Sequence, residues 1–276
     1  MVVTTEETAP GKFHVRDIGH SYQGTDGNPI ECLVGINLVV HENEFLSVVG
    51  PSGCGKSSLL DIMSGLIYPG RGSVFLDGTE LTGITSKIGY ISQADSLLPW
   101  RTVLGNVEFG LEVRGLSKKE RRDVARDLIA RAGLAGFEKN YPHELSGGMK
   151  KRVDIIRVLA VDPEVIFMDE PFGALDYFTK EKLQEYILDI WRNTGKTIVF
   201  ITHDLPEAVT MSDRVIIMTA RPGSIKNQYP ISLPRPRNPY EIRFDSAFIE
   251  LNRLIWEDLK DEIARAGEAN RLDRHE

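Results

Sequence analysis

The hydrophobic and polar positions of the chain fall into strand-like and helix-like stretches in a definite order. Residues 12–22 (KFHVRDIGHSY) and 30–40 (IECLVGINLVV) are rich in apolar and β-branched residues. The turn-rich QGTDGNP between them predicts an antiparallel pair. FLSVVG (45–50), SVFLDG (73–78) and KIGYIS (87–92) predict three further strands, and KSSLLDIMSGLI (56–67) predicts a helix. From about residue 95 to 160 strand-like runs vanish and helical periodicity dominates. In SKKERRDVARDLIARAGL (117–134), Val124, Leu128 and Ile129 fall on one predicted face. Strands return at VIFMD (165–169), TIVFIT (197–202) and RVIIMT (214–219). Between the first two, Leu183, Tyr186, Ile187, Ile190 and Trp191 make a helical stripe in KLQEYILDIWRN (182–193).

Alternating strands and helices predict a largely parallel α/β sheet, with the helical block of residues 95–160 inserted as a subdomain. Residues 221–243 carry several prolines and are expected to hold no regular element. From Asp245 an amphipathic pattern resumes, with Phe248, Leu251, Leu254, Ile255 and Leu259 on one side. It predicts a C-terminal helix fraying after Ala266. The expected division is therefore one domain over 1–220, followed by a Pro-rich segment and amphipathic helix over 221–276.

Composition narrows the function classes. The 276 residues are 41% hydrophobic and 26% charged, which is ordinary globular material. A net charge of −7 argues against a general nucleic-acid binder. Two cysteines, Cys32 and Cys54, are too few for a disulfide framework and fit a reducing compartment. The N-terminal MVVTTEETAPGKF lacks the apolar region of a signal peptide. No apolar run approaches the ~18 residues of a membrane helix. The chain is expected to be soluble by itself, so that any membrane role requires a partner.

Three motifs carry the chemistry. GPSGCGKSS (50–58) fits G-x-x-x-x-G-K-[ST], the loop whose backbone N–H groups cradle nucleotide phosphates. Gly50, Pro51, Ser52, Gly53, Cys54 and Gly55 form the cradle, and Lys56 is a point charge for the β- and γ-phosphates. Ser57 offers a hydroxyl to Mg2+, and Ser58 follows on the same helix. Cys54 reads most simply as a small filler residue and Cys32 as core. VIFMDE puts Asp169 at the carboxyl end of a strand, where it can hold Mg2+ through water, and Glu170 beside it can polarise an attacking water. Taken alone, that pair reads equally as a solvated strand end. In LSGGMKKRV (145–153), Ser146 is positioned to cap a helix whose first amides form a second anion site. Two phosphate-binding devices on a chain with one nucleotide motif suggest a site completed by a second copy.

This ordered set resembles the ATP-binding cassette (ABC) family over about residues 12–220. The resemblance implies a P-loop NTPase core sheet with an antiparallel β subdomain and an inserted α-helical subdomain, working on ATP with Mg2+. It implies catalytic roles for Glu170, His203 in FITHD, and Gln93 in YISQADSLLPW, with Ser57, Gln93 and Asp169 at the metal. By the same resemblance, the Ser146 hydroxyl and the Gly147 and Gly148 amides reach the γ-phosphate bound on the opposite subunit. Asp176 in GALD lies in the loop that crosses that interface. Tyr22 is the aromatic that stacks on adenine, its other reading being an ordinary aromatic on an early strand. Two residues depart from the family's pattern. Met149 stands where glutamine is frequent, and Asp154 stands where a small apolar residue is usual. Asp154 either lies on a solvated face or alters the packing there.

LLPWRTVLGNVEFGLEVRG (97–115) and TARPGSI (219–225) are similar to the ATPase subunits of nitrate, sulfonate and taurine uptake systems. That likeness implies a homodimer on the cytoplasmic face of the membrane. Its partners would be integral-membrane permease subunits and, indirectly, a solute-binding protein, with no nucleic acid. The stretch Ala94–Arg101, with Leu97, Leu98 and Trp100 around Pro99, is the expected permease contact. The alternative packs Trp100 into the helical subdomain. Rival functions remain: a soluble ABC protein acting on ribosomes or DNA, an ABC subunit for another solute or for export, and a P-loop kinase. The first usually carries two cassettes or a long coiled-coil insertion, and the kinase needs an acceptor lid in place of LSGG.

Overall fold

The computed structural model describes residues 11–24, 27–94, 96–173 and 175–272, with side chains to residue 268. The N-terminal ten residues, Asp95 of the expected permease contact and Ala174 of GALD lie outside them. The chain opens with β1 (Gly11–Gln23), β2 (Pro29–His41), β3 (Phe45–Val49) and α1 (Lys56–Met63). Next come β4 (Arg71–Leu76), β5 (Thr79–Glu80) and β6 (Ile88–Ile91), then α2 (Val103–Val113), α3 (Lys118–Arg131) and α4 (Gly147–Ala160). The last part runs β7 (Val165–Asp169), α5 (Tyr177–Thr194), β8 (Thr197–Ile201), α6 (Leu205–Met211), β9 (Arg214–Met218), β10 (Ile225–Pro230) and α7 (Ser246–Leu272).

Two sheets result. β2-β1-β4-β5 is antiparallel, and β10-β9-β3-β8-β7-β6 is parallel except for its edge strand β10. β3, β7 and β8 are buried at every position, which is why their sequences are nearly continuous apolar runs rather than alternating ones. α1 packs between the sheets through Leu59, Leu60, Ile62 and Met63, in a core where the Phe13 and Phe167 rings meet at 5.5 Å. α2, α3 and α4 form the expected helical block around Val107, Leu111, Ala125, Ile129, Val153 and Ile156.

Several expectations are corrected. The prolines of 221–243 do not exclude a strand. β10 fits between Pro222 and Pro230, and Pro230 ends an edge strand, where a missing N–H breaks no interior ladder. α7 does not fray after Ala266 but runs to Leu272. On α3 Leu128 and Ile129 pack inward as expected, joined by Ala125, whereas Val124 is exposed. Leu254 of α7 likewise faces out, whereas Phe248, Ile255 and Leu259 close over α6 and β9.

The segment after β9 folds back onto the start of the chain. Gly223 N donates to Cys32 O (2.8 Å), and Val34 N donates to Gly223 O (3.0 Å). A Cβ at Gly223 would collide with the Cys54 carbonyl oxygen and sit 3.0 Å from Met218 Cε and 3.2 Å from Cys54 C. Only glycine allows this approach. Further on, the buried Arg237 guanidinium donates to the carbonyls of Val209, Thr210 and Ser212 and of Ile231 and Leu233. It thereby caps the end of α6 and pins the proline-rich segment beside it.

Candidate functional site

The central strand β3 delivers the loop of residues 50–55 at its carboxyl end, and α1 begins directly after it. Gly53 and Gly55 hold left-handed backbone, and Ser52, Gly53 and Ser57 face outward while Pro51 and Cys54 are buried. Lys56 turns its ammonium back over the loop, donating to the carbonyls of Gly50 and Pro51 at 2.9 Å each. Burial pushes the Cys54 thiol pKa up although Lys56 opposes it, so the thiol is a packing group rather than a ready nucleophile. Tyr22 reaches the same corner from β1. It is half exposed, its hydroxyl donates to Ser58 Oγ (3.0 Å), and the His20 ring meets it edge-on.

β7 ends beside this loop. Burial raises the Asp169 carboxyl above its usual range; the bonded Ser57 hydroxyl and Lys56 oppose the rise, and repulsion from Glu170 and Asp61 adds to it. Asp61 in turn accepts a hydrogen bond from Tyr90 (2.9 Å), whose own pKa is driven up by burial and by that carboxylate. The next residue, Glu170, carries φ of 42°, a left-handed backbone in which glutamate is strained. Its N–H donates to Ile201 O (3.0 Å), and its carbonyl accepts from Gly173 N (3.3 Å). Held in that turn, Glu170 Oε2 accepts from Gln93 Nε2 at 3.3 Å and lies 3.1 Å from His203 Nδ1. Two residues widely separated in sequence, Gln93 and His203, thus converge on one oxygen of Glu170. They line a cavity of about 260 Å³ together with Lys151, Pro171 and Gly147.

Ser146 caps α4, its hydroxyl accepting from Met149 N (3.3 Å), and Asp176 caps α5 by accepting from Thr179 N (3.1 Å). The two caps adjoin, since a Cβ on Gly148 would collide with the Thr179 methyl. Among the described residues no hydrogen bond joins Ser146, Gly147, Gly148 or Asp176 to the phosphate loop. Met149 packs against the helical block. Asp154 is not on a solvated face: it is fully buried among Ser96, Lys151 and Arg157. Sequence reading passed over Lys151 and Arg157; the one signal was a carboxylate on the inward side of an amphipathic helix.

The order of strands, phosphate loop, helical block and capped Gly-Gly turn can be compared with known proteins. The family model for ABC transporters matches residues 33–173. The chain belongs to the ABC transporter ATP-binding family. A taurine import ATP-binding protein of Yersinia pestis is 44% identical over 213 residues, covering 77% of this chain and 82% of that protein. A nitrate import ATP-binding protein of Synechocystis is also 44% identical, over 243 residues, covering 86% and 91%. A solved dimeric ATP-binding cassette in a post-hydrolysis state, bound to ADP and Pi, matches with a TM-score of 0.72 at 32% identity. The match covers 80% of this chain and all of that one. This ABC protein is therefore an ATPase cassette, and its relatives include import ATP-binding proteins for taurine and for nitrate. Among its described residues no helix is long and apolar enough to cross a membrane.

Proposed function

We propose that this cassette dimerises head to tail on MgATP and powers a separate membrane permease that imports a small solute of the nitrate, sulfonate or taurine kind. The observation that carries the reading is the convergence of Gln93 and His203 on the Glu170 carboxylate, next to the Ser57–Asp169 pair. In this reading, the loop amides of Gly50–Lys56 and the Lys56 ammonium hold the phosphates, and Tyr22 gives adenine a flat face. Glu170 accepts the proton of the attacking water while His203 and Gln93 fix its orientation.

The residues fit a Mg2+ ion. Asp169 is a desolvated carboxylate with two further carboxylates acting on it, and Ser57 adds a hydroxyl oxygen. The ion would be held by Ser57, Asp169 and Gln93, and when bound it neutralises charge developing on the phosphate oxygens. Among the described residues no group of three or more His, Cys, Asp or Glu forms a metal cluster. A hard cation here would therefore complete its shell with phosphate and water oxygens, as Mg2+ commonly does.

The other half of the reading is the shared site. The capped α4 N-terminus presents the Ser146 hydroxyl and the Gly147 and Gly148 amides to a γ-phosphate held by the second copy, with Asp176 crossing between copies. Trp100 supports the permease contact. It is 71% exposed, so the alternative that packs it into the helical block has no support. Docking there places the protein peripherally on the cytoplasmic face of the membrane.

Ser146→Arg tests the shared site directly. ATP binding to the monomer is expected to persist, while ATP-dependent dimerisation, read by size-exclusion chromatography with light scattering, and hydrolysis both fail. Normal ATP hydrolysis by that homodimer would refute the shared site.

A further inference from the structure

α4 carries three charged side chains at spacing three, Lys151, Asp154 and Arg157, where its neighbours are the core residues Val153, Ile155 and Ile156. Asp154 is fully buried and Lys151 nearly so. The Asp154 carboxylate accepts from Ser96 Oγ (2.6 Å) and Arg157 Nη2 (2.8 Å) on one oxygen, and its other oxygen lies 3.8 Å from Lys151 Nζ. Both cations also donate to one short segment. Lys151 donates to the carbonyls of Ser92 (2.8 Å) and Gln93 (3.3 Å). Arg157 donates to the carbonyl of Ser96 (2.6 Å) and to its hydroxyl. The segment is thus gripped at both ends from α4, and one carboxylate holds the two cations that do the gripping.

Gln93 sits inside that grip. Its carbonyl is held by Lys151 while its side-chain amide reaches Glu170. Like charges on Lys151 and Arg157 in a desolvated site would separate without the carboxylate between them. Their movement would carry the backbone at Ser92, Gln93 and Ser96 and change where Gln93 meets Glu170. Resting on the roles proposed above for Gln93 and Glu170, we propose that Asp154 is a positioning residue for ATP hydrolysis. It acts through Lys151 and Arg157 to fix Gln93 against Glu170, and it ties the helix of the Ser-Gly-Gly turn to that glutamine. A tilt of α4 on docking of the second copy would then reach Gln93 as a displacement.

The test is a double-mutant cycle in steady-state ATP hydrolysis by the full chain. Asp154→Asn keeps shape and removes charge; it is expected to lower kcat about 10- to 100-fold, the scale of losing a supporting residue, with KM for MgATP within about twofold. In a Gln93→Ala background the same substitution is expected to change kcat by less than about threefold, because the group it positions is gone. An equal loss in both backgrounds would show a purely structural role and overturn the proposal, as would a wild-type kcat in Asp154→Asn alone. Ser96→Ala removes the loop-side bond to Asp154 from an exposed residue. It decides the matter if Asp154→Asn does not fold: a lowered kcat that Gln93→Ala erases supports the proposal, and an unchanged or additive one overturns it. Wild-type hydrolysis by Gln93→Ala itself would refute the role of Gln93, and this proposal would fall with it. That outcome is distinct from an impaired Gln93→Ala with additive effects.

Discussion

Gly223→Ala is the sharpest perturbation available outside the phosphate-binding residues. The added methyl would overlap the Cys54 carbonyl oxygen and press on Met218 Cε and Cys54 C at 3.0 and 3.2 Å. Residue 223 cannot step aside freely, because its N–H and C=O are both bonded to β2, at Cys32 and Val34. Either the phosphate loop moves by about 1 Å or the bridge to β2 opens; overpacking of this kind costs about 1–3 kcal/mol, and each lost backbone bond about 1 kcal/mol more. For a domain of this size 1 kcal/mol corresponds to roughly 2–4 °C in Tm, so a fall of roughly 5–15 °C is expected. A loop displaced by that distance also loses alignment with the phosphates. Forfeiting one charge-assisted bond, at about 1.5–3 kcal/mol, weakens ATP binding about 10- to 100-fold. Calorimetric titration with ATP and a thermal melt of the same preparation check both effects. As a control, Gly267→Ala, in open space on α7, should leave affinity unchanged and raise stability by about 0.5–1 kcal/mol. A Gly223→Ala protein with wild-type affinity and Tm would refute the reasoning. A lowered Tm with unchanged affinity would confine Gly223 to holding the fold.

Two further outcomes are expected. Glu170→Gln should bind MgATP yet hydrolyse it at least ~100-fold more slowly, the scale of losing a positioned general base, and should accumulate as an ATP-bound dimer; near wild-type turnover would remove Glu170 from that role. Trp100→Ser should abolish co-purification with the permease and solute uptake by the assembled transporter. The isolated subunit should melt as the wild type does, since the indole is already exposed; unimpaired uptake would move the contact away from this loop.

Much of this architecture was legible because its central strands have nearly continuous apolar sequences. VIFMD and TIVFI can hardly be anything but strands covered on both faces, and the sheet follows from them. Helix phase was read less well on α3 and α7. There Ala125 turns inward while Val124 and Leu254 turn out, so apolar character alone did not fix which positions of each helix meet the core. β10 was missed because prolines were counted over the whole segment instead of being placed at the strand's edges. At the site, the motifs named the residues but not the strained turn at Glu170. That φ value accompanies a bond to Ile201 on β8, remote in sequence, and one to Gly173 within the turn itself. The charges on α4 were hardest to read, since a buried carboxylate becomes interpretable only once the loop carrying Ser92 and Ser96 is laid over it.

The position of β3 bears on the order in which the protein can mature. The phosphate loop precedes β8 and β9 in the sequence, but the strand that carries it lies between those two strands, whose sequences begin at Thr197 and Arg214. Residue 223, which abuts the loop from behind, comes later still. A growing chain therefore holds the largely apolar run Phe45–Val49 without its sheet neighbours until β8 and β9 have been made, a long-range pairing of the kind that slows folding and exposes sticky intermediates. Competence to hold nucleotide arrives only when the last parallel strand and the glycine beyond it have left the ribosome. A nascent chain stalled before Arg214 carries the complete phosphate-loop sequence and still lacks the scaffold that gives it shape.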